Sequence, residues 1–292
     1  MLRALSLVVD PVDIVGIVNV GDDLTLHGLR ICPDLDTITY TLAGLDNTET
    51  GWGLAGETWR VMEELDALGG EAWFSLGDRD LATHLYRTQR LMQGDSLRSI
   101  THDLLQHHGV RSTLLPATED SIATIFTTPG GDQLSFQEYF VKHHHDVPIS
   151  EIHFDGALEA APAPGVLEAI AEAERVIISP SNPLISIAPI LAIPGIADAL
   201  ADRRGEVVAI SPLVAGRALK GPADRLMEEL GLGASTKGVA TFYRPFAETL
   251  VIDSADADDL VDVIDADMSC LVIDTVMDTP ERSVALATAV LQ

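Results

Sequence analysis

The sequence predicts an α/β fold: a doubly wound, Rossmann-like, mainly parallel sheet with a small antiparallel (α+β) insertion. Three observations predict it. Short apolar runs alternate with stretches of helical periodicity along most of the 292 residues. The chain is 47% hydrophobic but only 5% aromatic, the balance of a sequence that buries a large aliphatic core. One stretch, 111–141, breaks the alternation with three strand-like runs separated by turns at 116–121 and 129–132, which reads as an antiparallel insertion.

Candidate strands are 14–19, 72–75, 111–115, 122–127, 134–141, 175–179, 206–211, 248–252 and 270–273. Candidate helices are 33–44, 56–68, 78–92, 96–108, 165–174, 183–190, 194–202, 222–231, 235–243 and 279–291. Several carry end signals. Pro33 with Asp34 and Asp36 places proline and acids in a first turn. Gly69 and Gly70 stop the helix before them, and Pro222 opens one that ends at Gly231. The expected division is a core of 1–110 and 165–292, with insertion and linker at 111–164.

Charge narrows the partners. The formal net charge is −27, and lysine is confined to Lys142, Lys220 and Lys237. Such a field repels nucleic acid and anionic membranes, so the expected partners are small molecules, and an anionic one must be held by local donors or a bound cation. Cys32 and Cys270 form no CxxC motif and read as reduced thiols. No apolar run has the length of a membrane span, and the start, MLRALSLVVDPVD, turns acidic too soon for a secretory leader. A cytoplasmic protein is the expectation.

Four clusters follow apolar strands, where open α/β sheets bind ligands. The first is NVGDDLTLHGLRICPDLD, 19–36, in which Asp22 and Asp23 end a strand and Asp34 and Asp36 open a helix. Carboxylates gathered in a dry cleft repel, and a hard cation such as Mg²⁺ is the economical compensation; ordinary helix capping in an acid-rich chain is the competing reading. The second is FSLGDRDLATHL, 74–85, with Asp78 as a cap and Asp80 and His84 on the following turns. The third, SPSNPLISIAPIL, 179–191, offers Ser181 and Asn182 before a helix start. The fourth, 210–227, carries Lys220 and Gly221. The histidine run 143–145 reads as a solvated loop, because successive side chains do not converge on one ion.

In this order the segments NVGDD, ICPDLDTITYTLAG, LGDRDLATHL, SFQEYFV, PSNPLISIAPILAIPGI, ISPLVAGRALKGPADRLM and DTVM span almost the whole chain. Together they resemble the CofD/FbiA family of 2-phospho-L-lactate (phosphoenolpyruvate) transferases of coenzyme F-420 biosynthesis. The resemblance implies transfer of a phospho-lactyl or phosphoenolpyruvyl group from a guanosine-diphosphate-linked donor. The acceptor would be the deazaflavin Fo (7,8-didemethyl-8-hydroxy-5-deazariboflavin), with Mg²⁺ required and GMP released. It implies a homodimer. It places Asp36 against Fo and near the metal, makes Asp23 the metal ligand of the DD pair, and gives Asp23 and Asp36 the catalytic roles. Ser75 falls on the Fo side, where the family often has a basic residue, and Asp78 is counted among the substrate-binding positions. Ser181 and Asn182 would serve the guanosine donor.

The family opens with a strand and a glycine-rich loop that are not in the sequence from MLRAL onward. The expectation is that about a dozen residues precede this start and that the chain as given is weakened or inactive. Two other readings stay open at this point: a non-catalytic guanine-nucleotide-binding regulator, and a flavin- or deazaflavin-dependent oxidoreductase, although no complete GxGxxG fingerprint occurs.

Overall fold

The computed structural model describes residues 1–49 and 51–292. Its strands are β1 (Val15–Val18), β2 (Leu24–Leu26), β3 (Leu29–Ile31), β4 (Thr113–Pro116), β5 (Ala123–Thr127), β6 (Gln133–Ser135), β7 (Glu151–Asp155), β8 (Val176–Ile178), β9 (Val207–Ile210), β10 (Leu213–Val214), β11 (Arg217–Ala218), β12 (Thr249–Ile252) and β13 (Ser269–Val272). Four of them form an all-parallel sheet in the order β13–β12–β9–β8, and β1 and β4 form a second parallel pair. This is the α/β class the alternating pattern predicts. Strand β9 is buried at every position, as a parallel strand covered on both faces must be.

The antiparallel part is β6–β5–β7. Its membership differs from the sequence expectation at both ends. The run at 111–115, expected to open the insertion, pairs in parallel with β1, with Leu114 and Leu115 in the main core. Strand β7 arises instead from 151–155, within the expected linker; its acidic and histidine residues hide a strand whose partner is β5. The candidate strand 134–141 is strand only over β6, then a wide π-helical turn, Glu138–Lys142. The candidate strand 72–75 is irregular, and helices 254–265 were not foreseen because acids dilute their apolar pattern.

Both parallel groups end toward one place. Asn19 to Asp23 follow β1, Ser179 to Asn182 follow β8, Ser211 follows β9, Asp253 and Asp256 follow β12, and Ile273 to Met277 follow β13. The first acid-bearing loop is clamped tightly. Thr124 N–H donates to Gly21 C=O at 2.7 Å, and a Cβ on Gly21 would lie 2.9 Å from Thr124 Oγ1 and 3.0 Å from Pro189 Cβ. Only glycine lets the loop pass between β5 and the 183–191 segment. The helix Pro33–Ala43 begins with proline and ends at Gly44 in the left-handed region (φ 67°), and its buried face carries Leu35, Asp36, Thr39 and Tyr40. Among the described residues no single helix is long and apolar enough to cross a membrane.

Candidate active site

At the carboxyl ends of the strands lies a cavity of about 800 Å³, a size that holds a drug-sized ligand or larger. Its walls include residues of the loops after β1, β8, β9 and β13. Asp22, Asp34, Asp36, Asp80 and His84 line one part, and Ser181, Asn182 and Ser211 add polar groups. Trp52, Trp73, Phe136 and Phe140 supply apolar surface.

The acids fall into three differently compensated sets. Asp36 is paired. Arg87, itself only 1% exposed, donates through both terminal nitrogens to its two oxygens, at 3.1 Å for Nη1 to Oδ2 and closer for Nη2 to Oδ1. Arg87 Nη1 also lies 3.3 Å from His84 Nδ1. A guanidinium only donates, so that ring nitrogen accepts and the Nε2 hydrogen faces Asp80 Oδ2, 3.4 Å away. Tyr40 donates its hydroxyl to Asp80 Oδ1 at 2.6 Å, with the Thr83 hydroxyl 2.8 Å away. Burial raises the Asp36 carboxyl above its ordinary range despite the pull of Arg87 and His84. Desolvation by the same site pushes the Tyr40 phenol up, aided by the charges of Asp36 and Asp80.

Asp23 is also paired but elsewhere. Its carboxylate meets Arg30 Nη2 at 2.9 Å and does not line the cavity. Burial pushes it up to about 7 against the pull of Arg30.

Asp22 and Asp34 are the uncompensated set. Asn19 Nδ2 reaches both, at 3.4 Å to Asp22 Oδ1 and 3.2 Å to Asp34 Oδ2, while Asn19 Oδ1 accepts Gly21 N–H at 2.8 Å. Both face the cavity, and no ion pair with a described cation neutralises either. Burial raises the Asp22 carboxyl well above its usual range, with the Asp34 and then the Asp23 charge adding; burial raises Asp34 as well. Two carboxylates of like charge beside an open cavity, Asp22 buried and Asp34 half-buried, are a donor set for a hard divalent cation, with water and ligand oxygens completing the shell. Asp36, Asp80 and His84 also lie within 4.8 Å of one another, but Arg87 already occupies Asp36. On charge, a cation fits Asp22 and Asp34 better.

The remaining sequence candidates separate as follows. Ser75 lines the cavity and is exposed to it. Ser181 and Asn182 line it too; Asn182 Oδ1 caps the next turn through Leu184 N–H at 2.9 Å, and its Nδ2 is buried without a partner. Asp78 is not in the lining. It accepts from the Arg60 and Val61 amides at 3.3 and 3.1 Å, while Glu57 returns the favour to the amides of Arg79 and Asp80, both at 2.9 Å. Glu57 so caps the start of the helix Asp80–Met92, which carries Asp80, His84 and Arg87, and Asp78 caps the start of Arg60–Ala67. The sequence reading missed Arg87, Tyr40 and Asn19. Helical spacing was the available signal: 80, 84 and 87 share one face, as do 36 and 40.

Fold and cavity together define the class: an α/β protein with a ligand-sized cavity at the carboxyl ends of its parallel strands, lined by clustered acids. The comparison with known proteins carries this further. The family model for the 2-phospho-L-lactate transferase CofD matches residues 1–280, and the chain belongs to that family of transferases. It is 41% identical over 99% of its length to a phosphoenolpyruvate transferase of Kitasatospora aureofaciens, covering 92% of that protein. It is 43% identical over 96% of its length to a phosphoenolpyruvate transferase of Thermobifida fusca, covering 86% of that one. Among solved structures, a UPF0052 family member from Bacillus halodurans shares the fold with a TM-score of 0.62 at 16% identity, over 100% of this chain and 94% of that one.

Proposed function

We propose that the protein transfers a phosphoenolpyruvyl or 2-phospho-L-lactyl group from a guanosine-diphosphate-linked donor to Fo, releasing GMP, in coenzyme F-420 biosynthesis. The observation that carries the reading is the unneutralised Asp22–Asp34 pair in the wall of a cavity large enough for two substrates. Family membership and the names of the relatives support the transferred group.

Asp22 and Asp34 would hold a Mg²⁺ ion, which would neutralise the diphosphate and favour its cleavage. Asn19 fixes both carboxylates, and the clamped loop at Gly21 fixes Asn19. The unpartnered Asn182 Nδ2, with Ser181, supports a contact to the guanosine donor. The acceptor's terminal hydroxyl oxygen bonds to the phosphorus distal to guanosine, the bridging P–O bond breaks, and GMP leaves with that electron pair. Asp36, oriented by Arg87 and lining the cavity, would take the hydroxyl proton, and the burial that raises its carboxyl supports that role. Ser75 contributes to the acceptor side. Asp23 and Asp78 act from behind, Asp23 by anchoring the acid loop to Arg30 and Asp78 by capping the helix Arg60–Ala67, while Glu57 caps the helix that carries Arg87. The acidic field, at −27, favours small-molecule partners over nucleic acid or membrane; a cytoplasmic homodimer is proposed from the family resemblance and not from the charge.

The test is incubation with Fo, Mg²⁺ and each guanylylated donor, followed by mass analysis of the deazaflavin. A product heavier by one phosphoenolpyruvyl or 2-phospho-L-lactyl unit, with stoichiometric GMP, is expected from at least one donor. Binding of GDP without any product from any donor would overturn the reading in favour of a nucleotide-binding regulator.

A further inference from the structure

One cation in the cavity has no established employment. Among the described residues that line it, Lys220 is the one lysine or arginine, facing walls that carry four aspartates. It makes no ion pair with a described residue, whereas Lys142 lies 3.9 Å from Glu138. Lysine is scarce in this chain, and this exposed one stands at the mouth of the cavity.

Lys220 shares the cavity wall with aromatic residues. Its Nζ lies 3.7 Å from where a Cβ would stand on Gly51, next to Trp52. The following residue, Gly221, faces Phe140 Cζ at 3.8 Å from its own Cβ position. Phe140 stacks on Phe136, with centroids 5.4 Å apart and planes 10° apart, and both line the cavity with Trp52 and Trp73. The approach of Lys220 is built rather than incidental. It follows the hairpin β10–β11, whose turn holds Ala215 in the left-handed region (φ 52°). Buried Asp256 pins that turn, accepting from Ala215 N–H at 3.0 Å and Gly216 N–H at 2.7 Å.

We propose that Lys220 recognises the acceptor's aromatic ring system through the ionised oxygen on that ring, with Phe136, Phe140, Trp52 and Trp73 as its apolar bed. The proposal rests on the function proposed above. An 8-hydroxy group conjugated to the pyrimidinedione carbonyls of a deazaflavin is a vinylogous acid. Its anion spreads charge over a planar ring, a ligand that flat apolar walls and a single ammonium both favour. The donor's phosphates are better served by the acid pair and its cation, which leaves Lys220 for the acceptor.

The experiment is a pH titration of Fo absorbance in the presence of saturating protein without donor, for wild type, K220Q and K220R. An opposite charge within about 4–6 Å lowers the pKa of an acid by about 1 unit or more, roughly tenfold in the ionisation constant. The ring hydroxyl should therefore ionise at a pH about one unit lower on wild type and K220R than on K220Q. GDP affinity should be unchanged in K220Q, which also reports an intact fold. Equal titration of bound Fo on wild type and K220Q would overturn the assignment, as would a K220Q defect confined to the guanylylated donor. If wild-type protein binds GDP but no Fo at any pH, the acceptor reading itself fails, and this inference with it.

Discussion

Arg87→Met tests the idea that the site is organised around a buried ion pair. Arg87 is 1% exposed and Asp36 is 4% exposed, and the two oxygens of Asp36 receive the two terminal nitrogens of Arg87. Methionine keeps much of the side-chain volume but leaves the carboxylate in a dry site without its partner. Breaking a buried pair from one side costs about 3–5 kcal/mol, because the remaining charge is uncompensated. At ~2–4 °C per kcal/mol for a chain somewhat smaller than this one, the melting temperature should fall by roughly 6–20 °C. Asp36→Asn alone strands the guanidinium and should cost a similar amount. The double variant Asp36→Asn/Arg87→Met should recover much of the loss, since neither charge is then left alone. Thermal unfolding by circular dichroism reads the stability, and the transfer assay reads the function. The double variant is expected to be folded and inactive. A single Arg87→Met cost under about 1 kcal/mol, or additive effects of the two changes, would refute the reasoning that this pair is desolvated and mutually dependent.

Three further outcomes are expected. Asp23 binds its proton more tightly folded, at about 7, than at its ordinary value of 3.8. The stabilisation from that proton is full below 3.8 and is lost as pH rises through about 7. The wild-type melting temperature should therefore fall between pH 5 and pH 8, and Asp23→Asn should flatten that fall; an unchanged slope would contradict it. Tyr243 is fully buried and its hydroxyl has no partner, so Tyr243→Phe should be neutral or stabilising by about 1 kcal/mol, where a comparable loss would reveal a hidden hydrogen bond. Asp256→Ala frees the Ala215 and Gly216 amides and should raise KM for the acceptor with little change in GDP affinity, measured by initial rates and calorimetry.

How far the sequence could be read follows from what periodicity encodes. The helix Pro33–Ala43 was legible from its proline, its acids and the glycine after it, because each acts locally. The parallel strands were legible as apolar runs, but partners were not: 111–115 reads alike whether it joins β1 or a hairpin, and only burial of Leu114 and Leu115 in the main core decides. Within the site, the clustering of acids was visible, while their individual environments were not. Asp22 and Asp23 are neighbours in sequence, yet one faces the cavity and the other faces Arg30, a difference of backbone direction that no spacing rule contains. Similarly, Asp78 carries the look of a site residue but spends its oxygens on the amides of 60 and 61. Arg87 escaped notice because a basic residue on an amphipathic helix is ordinarily solvated, and its burial depends on Asp36 arriving from another helix.

The central claim is that Asp22 and Asp34, and not the arginine-bound Asp36, form the cation site. Mn²⁺ binding followed by electron paramagnetic resonance in the presence of GDP tests it directly on wild type, Asp22→Asn, Asp34→Asn and Asp36→Asn. One bound ion is predicted for wild type and for Asp36→Asn, with affinity at least tenfold weaker in Asp22→Asn and Asp34→Asn. Undiminished binding in the Asp22 and Asp34 variants, or its loss only in Asp36→Asn, would contradict the account.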